Sequence, residues 1–172
     1  YVLDTFPFPF VAKESRNSMG KGVFLIQSRE DFLTYCEKVD ALYIQEYLPN
    51  DGKDLRICVV GNEVLGAYWR VGLEGEFLHN IAQGGELCAD FIPQEAIDLV
   101  LDIAGQLGIN HAGFDVMVSE GKYYIIEFNV LFGNQGLNKL GKSVEQTIYQ
   151  YLLSQFLPPF PTSPTPGNKV VS

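Results

Sequence analysis

Apolar positions at 8–12 and 22–26 bracket a polar, glycine-bearing segment holding Ser15, Asn17, Ser18, Gly20 and Lys21. That pattern predicts strand, loop, strand. Ser28 fits an N-cap with Asp31 in the capping-box position, and Phe32, Leu33, Tyr35 and Cys36 supply the stripe of an amphipathic helix running to Val39. A short apolar strand over 41–48 is then closed by Pro49, Asn50, Asp51 and Gly52, a turn cluster that divides the chain into two lobes near Pro49.

Beyond that turn, 54–60 and 63–70 form two strand-like runs joined by Gly61-Asn62, residue types that suit the left-handed conformations of a tight hairpin. Pro93 opens a helix through Gly105, with Ile97, Val100, Leu101 and Ala104 at helical spacing and Gly108 as the stop. A second hairpin comes next, 111–118 and 122–128 around Glu120-Gly121, and 143–157 is a last amphipathic helix. The tail 158–172 is rich in Pro, Ser and Thr, which favours extended or disordered chain.

With 172 residues, 47% hydrophobic and 13% aromatic, the chain can bury a core as one domain or two small lobes. A net charge of -9 gives no field to attract nucleic-acid phosphates, so nucleic acid is excluded as a main partner. Cys36, Cys58 and Cys88 are odd in number and lack a CxxC pair, which argues against a disulfide framework or zinc site. They are expected to be buried thiols in a reducing cytoplasm. No stretch approaches the roughly 20 apolar residues that span a bilayer, and a membrane role is not expected. The chain opens at Tyr1 rather than Met and runs at once into an apolar segment, so an upstream portion is expected to be missing.

Lys13 stands at the end of an apolar strand, where an ammonium is costly unless an anion waits there or the side chain snorkels from an edge. The loop 16–22, with Gly20 and Gly22, could present consecutive N–H groups to an anion or be a solvated turn. Asp115 lies in the strand 113–117, and Glu127 and Asn129 share one face of the partner strand by period-two alternation. If Asp115 points to the same face, three oxygen donors converge in the hard set that magnesium accepts. Alternation equally permits that face to be the water side of an antiparallel sheet. Arg56, Arg70 and Asn80 are further candidates for oxyanion contact, with surface ion pairing as the competing reading. His79 and His111 are too isolated for a metal site, and neither a Gly-x-Ser-x-Gly elbow nor a Walker loop occurs.

Taken in order, "FVAKESRNSMGKGVFLI", "YIQEYLP", "DLRICVVGNEVLGAYWRVG", "GEFLHNIAQGG", "AGFDVMV" and "YYIIEFNVLFGNQGL" resemble the motif series of the ATP-grasp superfamily, and most of all its RimK-type glutamate ligases. The resemblance runs from about Phe8 to about Leu157. It implies an α+β ATP-grasp fold in which two lobes with antiparallel sheets, 1–48 and 49–157, clasp ATP. It implies that Lys13 contacts the ATP phosphates, that Ser18, Met19, Gly20 and Gly22 fold over them, and that Gln45, Glu46, Tyr47 and Leu48 form the adenine hinge, with Glu46 near the purine or ribose. Asp54 joins these nucleotide-binding positions. Arg56 and Arg70 match arginines that face the phosphates or the acceptor carboxylate, and Asn80 an asparagine near the transferred phosphate. Asp115, Glu127 and Asn129 match the magnesium ligands, for which manganese is an acceptable substitute.

The implied chemistry is that of an ATP-dependent carboxylate-amine ligase. A small-molecule or peptide carboxylate attacks the γ-phosphate, and an amine then attacks the acylphosphate. A homo-oligomer is compatible with all of this. The sequence departs from the family in three places. Asn129 is followed by Val130-Leu131-Phe132-Gly133-Asn134 rather than a small residue and Ser-Pro-Gly; Gln83 stands where an arginine is usual; and the family's N-terminal domain, with its additional upstream lysine, does not appear in these 172 residues, as expected of a fragment. A kinase acting on a small hydroxyl substrate and a non-catalytic nucleotide-binding module are the alternatives.

Overall fold

A computed structural model of the chain describes residues 1–15, 22–72 and 86–156. The described elements are α1 (Val2–Thr5), β1 (Phe10–Lys13), β2 (Val23–Ile26), α2 (Arg29–Cys36), β3 (Tyr43–Glu46), β4 (Lys53–Val60), β5 (Glu63–Val71), β6 (Glu86–Cys88), α3 (Gln94–Leu107), β7 (His111–Ser119), β8 (Lys122–Asn129), α4 (Gln135–Lys139) and α5 (Val144–Phe156). They build two antiparallel sheets. One has order β2-β1-β3, the other β6-β5-β4-β7-β8.

The smaller sheet lays one face on α2. Phe10 and Ala12 point to that side, where they meet Ile26, Phe32 and Tyr35 in a closed cluster. The helix begins as its sequence predicts, because Ser28 Oγ accepts the N–H of Asp31 at 3.1 Å while Asp31 Oδ2 accepts the N–H of Gln27 at 3.0 Å.

The larger sheet separates its two faces by chemistry. Leu55, Ile57 and Val59 of β4 and Ala112, Phe114 and Val116 of β7 pack on Ala96, Val100 and Ala104 of α3. Each fully buried large side chain there is worth about 1.5–3 kcal/mol, so this face anchors the fold. Gly108 ends α3 in the left-handed region (φ 65°), and Ile109 N–H returns to the Ala104 carbonyl at 2.8 Å.

The intervening positions of the same strands, Asp54, Arg56 and Cys58 of β4 and Gly113 and Asp115 of β7, turn to the other face. Its lower end is closed by Cys58, Tyr68, Leu137 and Val144, with Phe132 packed against them. Gly136 of α4 is required here, since a Cβ would lie 2.2 Å from the Tyr68 ring.

The strands and long helices predicted from periodicity are present within a few residues. Three short elements, α1, β6 and α4, carried no periodic signal. The expectation of three buried thiols is corrected: all are free, Cys58 is buried, and Cys36 and Cys88 are only half-buried, because they lie at the ends of α2 and β6 rather than inside a sheet. Burial pushes the Cys58 thiol up to about 12; the charges of Arg56 and Arg70 oppose this rise and that of Asp115 adds to it, each to a lesser extent. No helix among the described residues is long and apolar enough to cross a membrane.

Candidate active site

Strand register assembles the site. Arg56 stands opposite Tyr68 on one side and Asp115 on the other, and Asp115 stands opposite Glu127, giving one row across four strands. One residue pair along the sheet, Asp54 faces Arg70. Paired residues share a face, so the register puts Asp54, Arg56, Arg70, Asp115 and Glu127 together on the side opposite α3. A bulge between Asp115 and Val116 lets both Glu127 and Ile125 keep their own sides.

The side chains form a continuous ionic chain. Arg56 grips Asp115 in a fork, Nε to Oδ1 at 2.5 Å and Nη2 to Oδ2 at 3.0 Å. Arg70 donates from Nε to Asp54 Oδ1 at 2.7 Å and from Nη2 to Asp54 Oδ2, and the same Nη2 lies 3.0 Å from Asp115 Oδ2. These four side chains are only 9–13% exposed. Burial alone would lower the Arg70 pKa, but hydrogen bonding to Asp54 and the charges of Asp115 and Asp54 outweigh it and raise it. Guanidinium groups do not give up their proton in proteins, so both arginines are fixed cations.

Gly113 gives Arg56 room. A Cβ at that position would come within 2.8 Å of Arg56 Nη1 and 3.0 Å of the Phe132 ring.

Glu127 differs from Asp115. Its side chain is 51% exposed, and it meets Lys13 Nζ, from the smaller sheet, at 3.9 Å. Asn129 Nδ2 donates to Glu127 Oε1 at 3.1 Å. Lys13 is also held over the Tyr43 ring at 5.8 Å, and its carbonyl accepts the Tyr35 hydroxyl at 2.6 Å. Thus α2, through Tyr35, fixes the backbone of the lysine that reaches the larger sheet.

Gln45 pairs with Val11, which puts it on the face of Lys13 and Tyr43, and its Oε1 is buried with no hydrogen-bond partner among the described residues. Glu46 pairs with Phe10, so its side chain leaves on the opposite face and is exposed. Tyr47 and Leu48 come next, both half-buried, and the Leu48 carbonyl accepts Asn50 Nδ2 at 3.0 Å. Gly22 is in the left-handed region (φ 73°), and its carbonyl accepts the Glu14 N–H at 2.8 Å, closing the base of the β1–β2 loop. Ser18, Met19, Gly20, His79, Asn80 and Gln83 lie outside the described residues.

Two antiparallel sheets, with a lysine on the small one meeting a row of alternating arginine and carboxylate on the large one, are in keeping with the fold expected from the motif series. Residues 2–152 match the RimK-like ATP-grasp domain. The chain belongs to the RimK-like ATP-grasp family. It is 32% identical over 150 residues to a probable alpha-L-glutamate ligase of Alkalilimnicola ehrlichii, covering 84% of this chain and 50% of that protein. It is 28% identical over 131 residues to human N-acetylaspartylglutamate synthase A, covering 73% of this chain and 34% of that one. The chain thus spans about half or less of the length of these curated relatives. In fold it is similar to the D-alanine–D-alanine ligase of Bacillus anthracis solved with ATP, with TM-score 0.66, 18% identity and coverage of 89% of this chain and 55% of that one.

Within this ATP-grasp site, several contributors escaped the sequence. Tyr35 shows in the sequence only as part of the apolar stripe of a helix, and Tyr68, Gly113 and Gly136 carry no signal of their own. Only the approach of another element reveals what each positions. Asp54 is expected among the nucleotide-binding positions; its pairing with Arg70, set by the β4–β5 register, is not foreseen in the sequence.

Proposed function

We propose that this chain is the nucleotide- and metal-binding part of an ATP-dependent carboxylate-amine ligase, with 1–48 as the small lobe and 49–157 as the large one. The observation that carries the reading is the row Arg56, Asp115, Glu127 met by Lys13 from the other sheet. Two arginines and a lysine on the same side supply positive charge that would offset the negative charge built up during phosphoryl transfer.

Lys13 is assigned to the ATP phosphates. Gln45 Oε1, a buried acceptor without a donor among the described residues, suits the amino group of adenine. Asp54, Tyr47, Leu48 and the loop bearing Ser18, Met19, Gly20 and Gly22 complete the nucleotide positions. Glu46, facing away from Lys13, is assigned to the hinge through its backbone rather than its carboxylate. Arg56, Arg70 and Asn80 are assigned to the transferred phosphate and the acceptor carboxylate.

Asp115, Glu127 and Asn129 fit a magnesium ion by donor chemistry, being all-oxygen and hard. Among the described residues no group of three or more His, Cys, Asp and Glu side chains could hold a metal by itself. The amide of Asn129 and the oxygens of the nucleotide would complete the set. When bound, magnesium neutralises phosphate charge and polarises the γ-phosphoryl group. The protein's own groups do the rest by positioning: the fork of Arg56 fixes Asp115, and Asn129 orients Glu127 by its hydrogen bond. No covalent enzyme intermediate is needed, in keeping with the absence of a nucleophile motif. The free thiols suit a reducing cytoplasm.

Calorimetry with AMPPNP, with and without magnesium, tests this reading. Magnesium should tighten binding by about tenfold or more, and Glu127→Gln, half-exposed and so mild for folding, should abolish that gain. Equal affinity with and without the metal in the unaltered chain would refute it.

A further inference from the structure

Asn129 closes β8, an edge strand with one neighbour, β7, among the described residues. The last residue of an edge strand frays unless the chain beyond it is tied down. By register Asn129 stands opposite Gly113. Three residues later the chain is back at that place, since a Cβ on Gly113 would lie 3.0 Å from Phe132 Cγ and 3.1 Å from Phe132 Cβ. Extended chain would carry three residues about 10 Å away. The stretch 129–132 is therefore a tight return with both ends held at Gly113. Val130 and Leu131 between them, 55% and 93% exposed, add little packing of their own.

Phe132 is seated from several sides. Its ring stacks on that of His111, with centroids 5.0 Å apart and planes at 27°. Arg56 Nη1 comes within 2.8 Å of the same Gly113 position, and Arg56 is itself immobilised by its fork on Asp115. Behind them Phe132 packs against the cluster of Cys58, Tyr68, Leu137 and Val144. His111, Gly113 and Asp115 alternate onto one face of β7, so this notch lies on the same side of the sheet as the ionic row. It exists because residue 113 has no side chain to fill it.

We propose that Phe132 is a positioning residue for the metal centre: docked in the notch over Gly113, it fixes where the chain leaves β8 and so holds the Asn129 amide at Glu127, to which Nδ2 donates at 3.1 Å. The inference rests on the reading of Asp115, Glu127 and Asn129 as magnesium ligands. Groups that orient metal ligands without touching the metal govern its affinity by about 10–100-fold. Arg56 keeps its place through Asp115 whether or not Phe132 is docked, so the effect of Phe132 falls on the metal and not on the phosphate contacts of the arginine.

The test is calorimetry of AMPPNP with and without magnesium, the ratio of the two affinities being the magnesium gain. Phe132→Ala empties the notch and should lower that gain by about tenfold, with the magnesium-free affinity unchanged. Phe132→Leu, which keeps a Cβ and a Cγ over Gly113, should hold the gain within about threefold of the unaltered chain. Because Phe132→Ala also removes packing, a second variant leaves the ring in place: two glycines inserted between Val130 and Leu131 slacken the return at little cost to folding. The insertion should lose the gain as Phe132→Ala does, and it decides alone if Phe132→Ala does not fold. A gain that survives the insertion overturns the inference. So does an insertion that weakens AMPPNP binding equally with and without magnesium, since the loop then serves the fold rather than the metal. In both cases the unaltered chain keeps its gain and the ligase reading stands. No magnesium gain in the unaltered chain removes that reading and this inference with it.

Discussion

The two sheets handle charge in opposite ways. The larger sheet buries four ionised groups and satisfies them with each other, in strand register, before any ligand arrives. The smaller sheet offers one lysine, held by a long 3.9 Å contact to the other sheet and by an aromatic ring. A buried charge network is rigid because removing any member strands its partner, whereas a single peripheral cation can change partners at little cost. The larger sheet is therefore a preformed electrostatic surface, and the smaller sheet an adjustable one.

Asp115→Ala breaks this contrast hardest. It leaves Arg56 and Arg70 without their shared carboxylate in a buried setting, and urea unfolding should show a loss of about 3–5 kcal/mol. A loss below about 1 kcal/mol would mean that the network is solvated rather than buried. Gly136→Ala attacks the same surface from below, through the Tyr68 ring. A cost of about 1–3 kcal/mol is expected, together with weaker AMPPNP binding as the Tyr68–Arg56 row shifts.

Cys58 sharpens the comparison by pH. Its folded pKa of about 12 lies above the ordinary 9.0, so folding favours the neutral thiol. The contribution is complete below pH 9 and declines from there toward 12, by at most about 1.4 kcal/mol per pH unit. Cys58→Ala compared with the unaltered chain in urea titrations at pH 8 and pH 10.5 isolates that slope, which should be shallower in the variant.

Lys13→Met gives the smallest change in stability, below about 1 kcal/mol, because the ion pair is long and its partner half-exposed. Its AMPPNP affinity should nonetheless drop by about tenfold. A stability loss as large as that of Asp115→Ala would erase the distinction between the two sheets.

Much of this was legible in the chain itself. The hairpins show in Gly61-Asn62 and Glu120-Gly121 between alternating runs, α2 in Ser28 and Asp31, and α3 in its apolar spacing and the Gly108 stop. These are local signals, fixed by backbone sterics and side-chain periodicity over a few residues. The common face of Glu127 and Asn129 comes from alternation alone, and the order of motifs pointed to the family.

Tertiary structure decided the rest. Whether Asp115 joins Glu127 depends on the register of β7 against β8 and on the bulge beside Asp115, and a slip of one residue would have sent it to the opposite face. The division of Arg56 and Arg70 between Asp115 and Asp54 needs three strands in place at once. Short elements such as β6 and α4 lack the length for a period and exist because neighbours hold them, α4 through a glycine laid against Tyr68. Sequence determines what each segment is able to form, since that information is local; the partners of a buried charge are contacts between distant residues, and only the packed fold selects them.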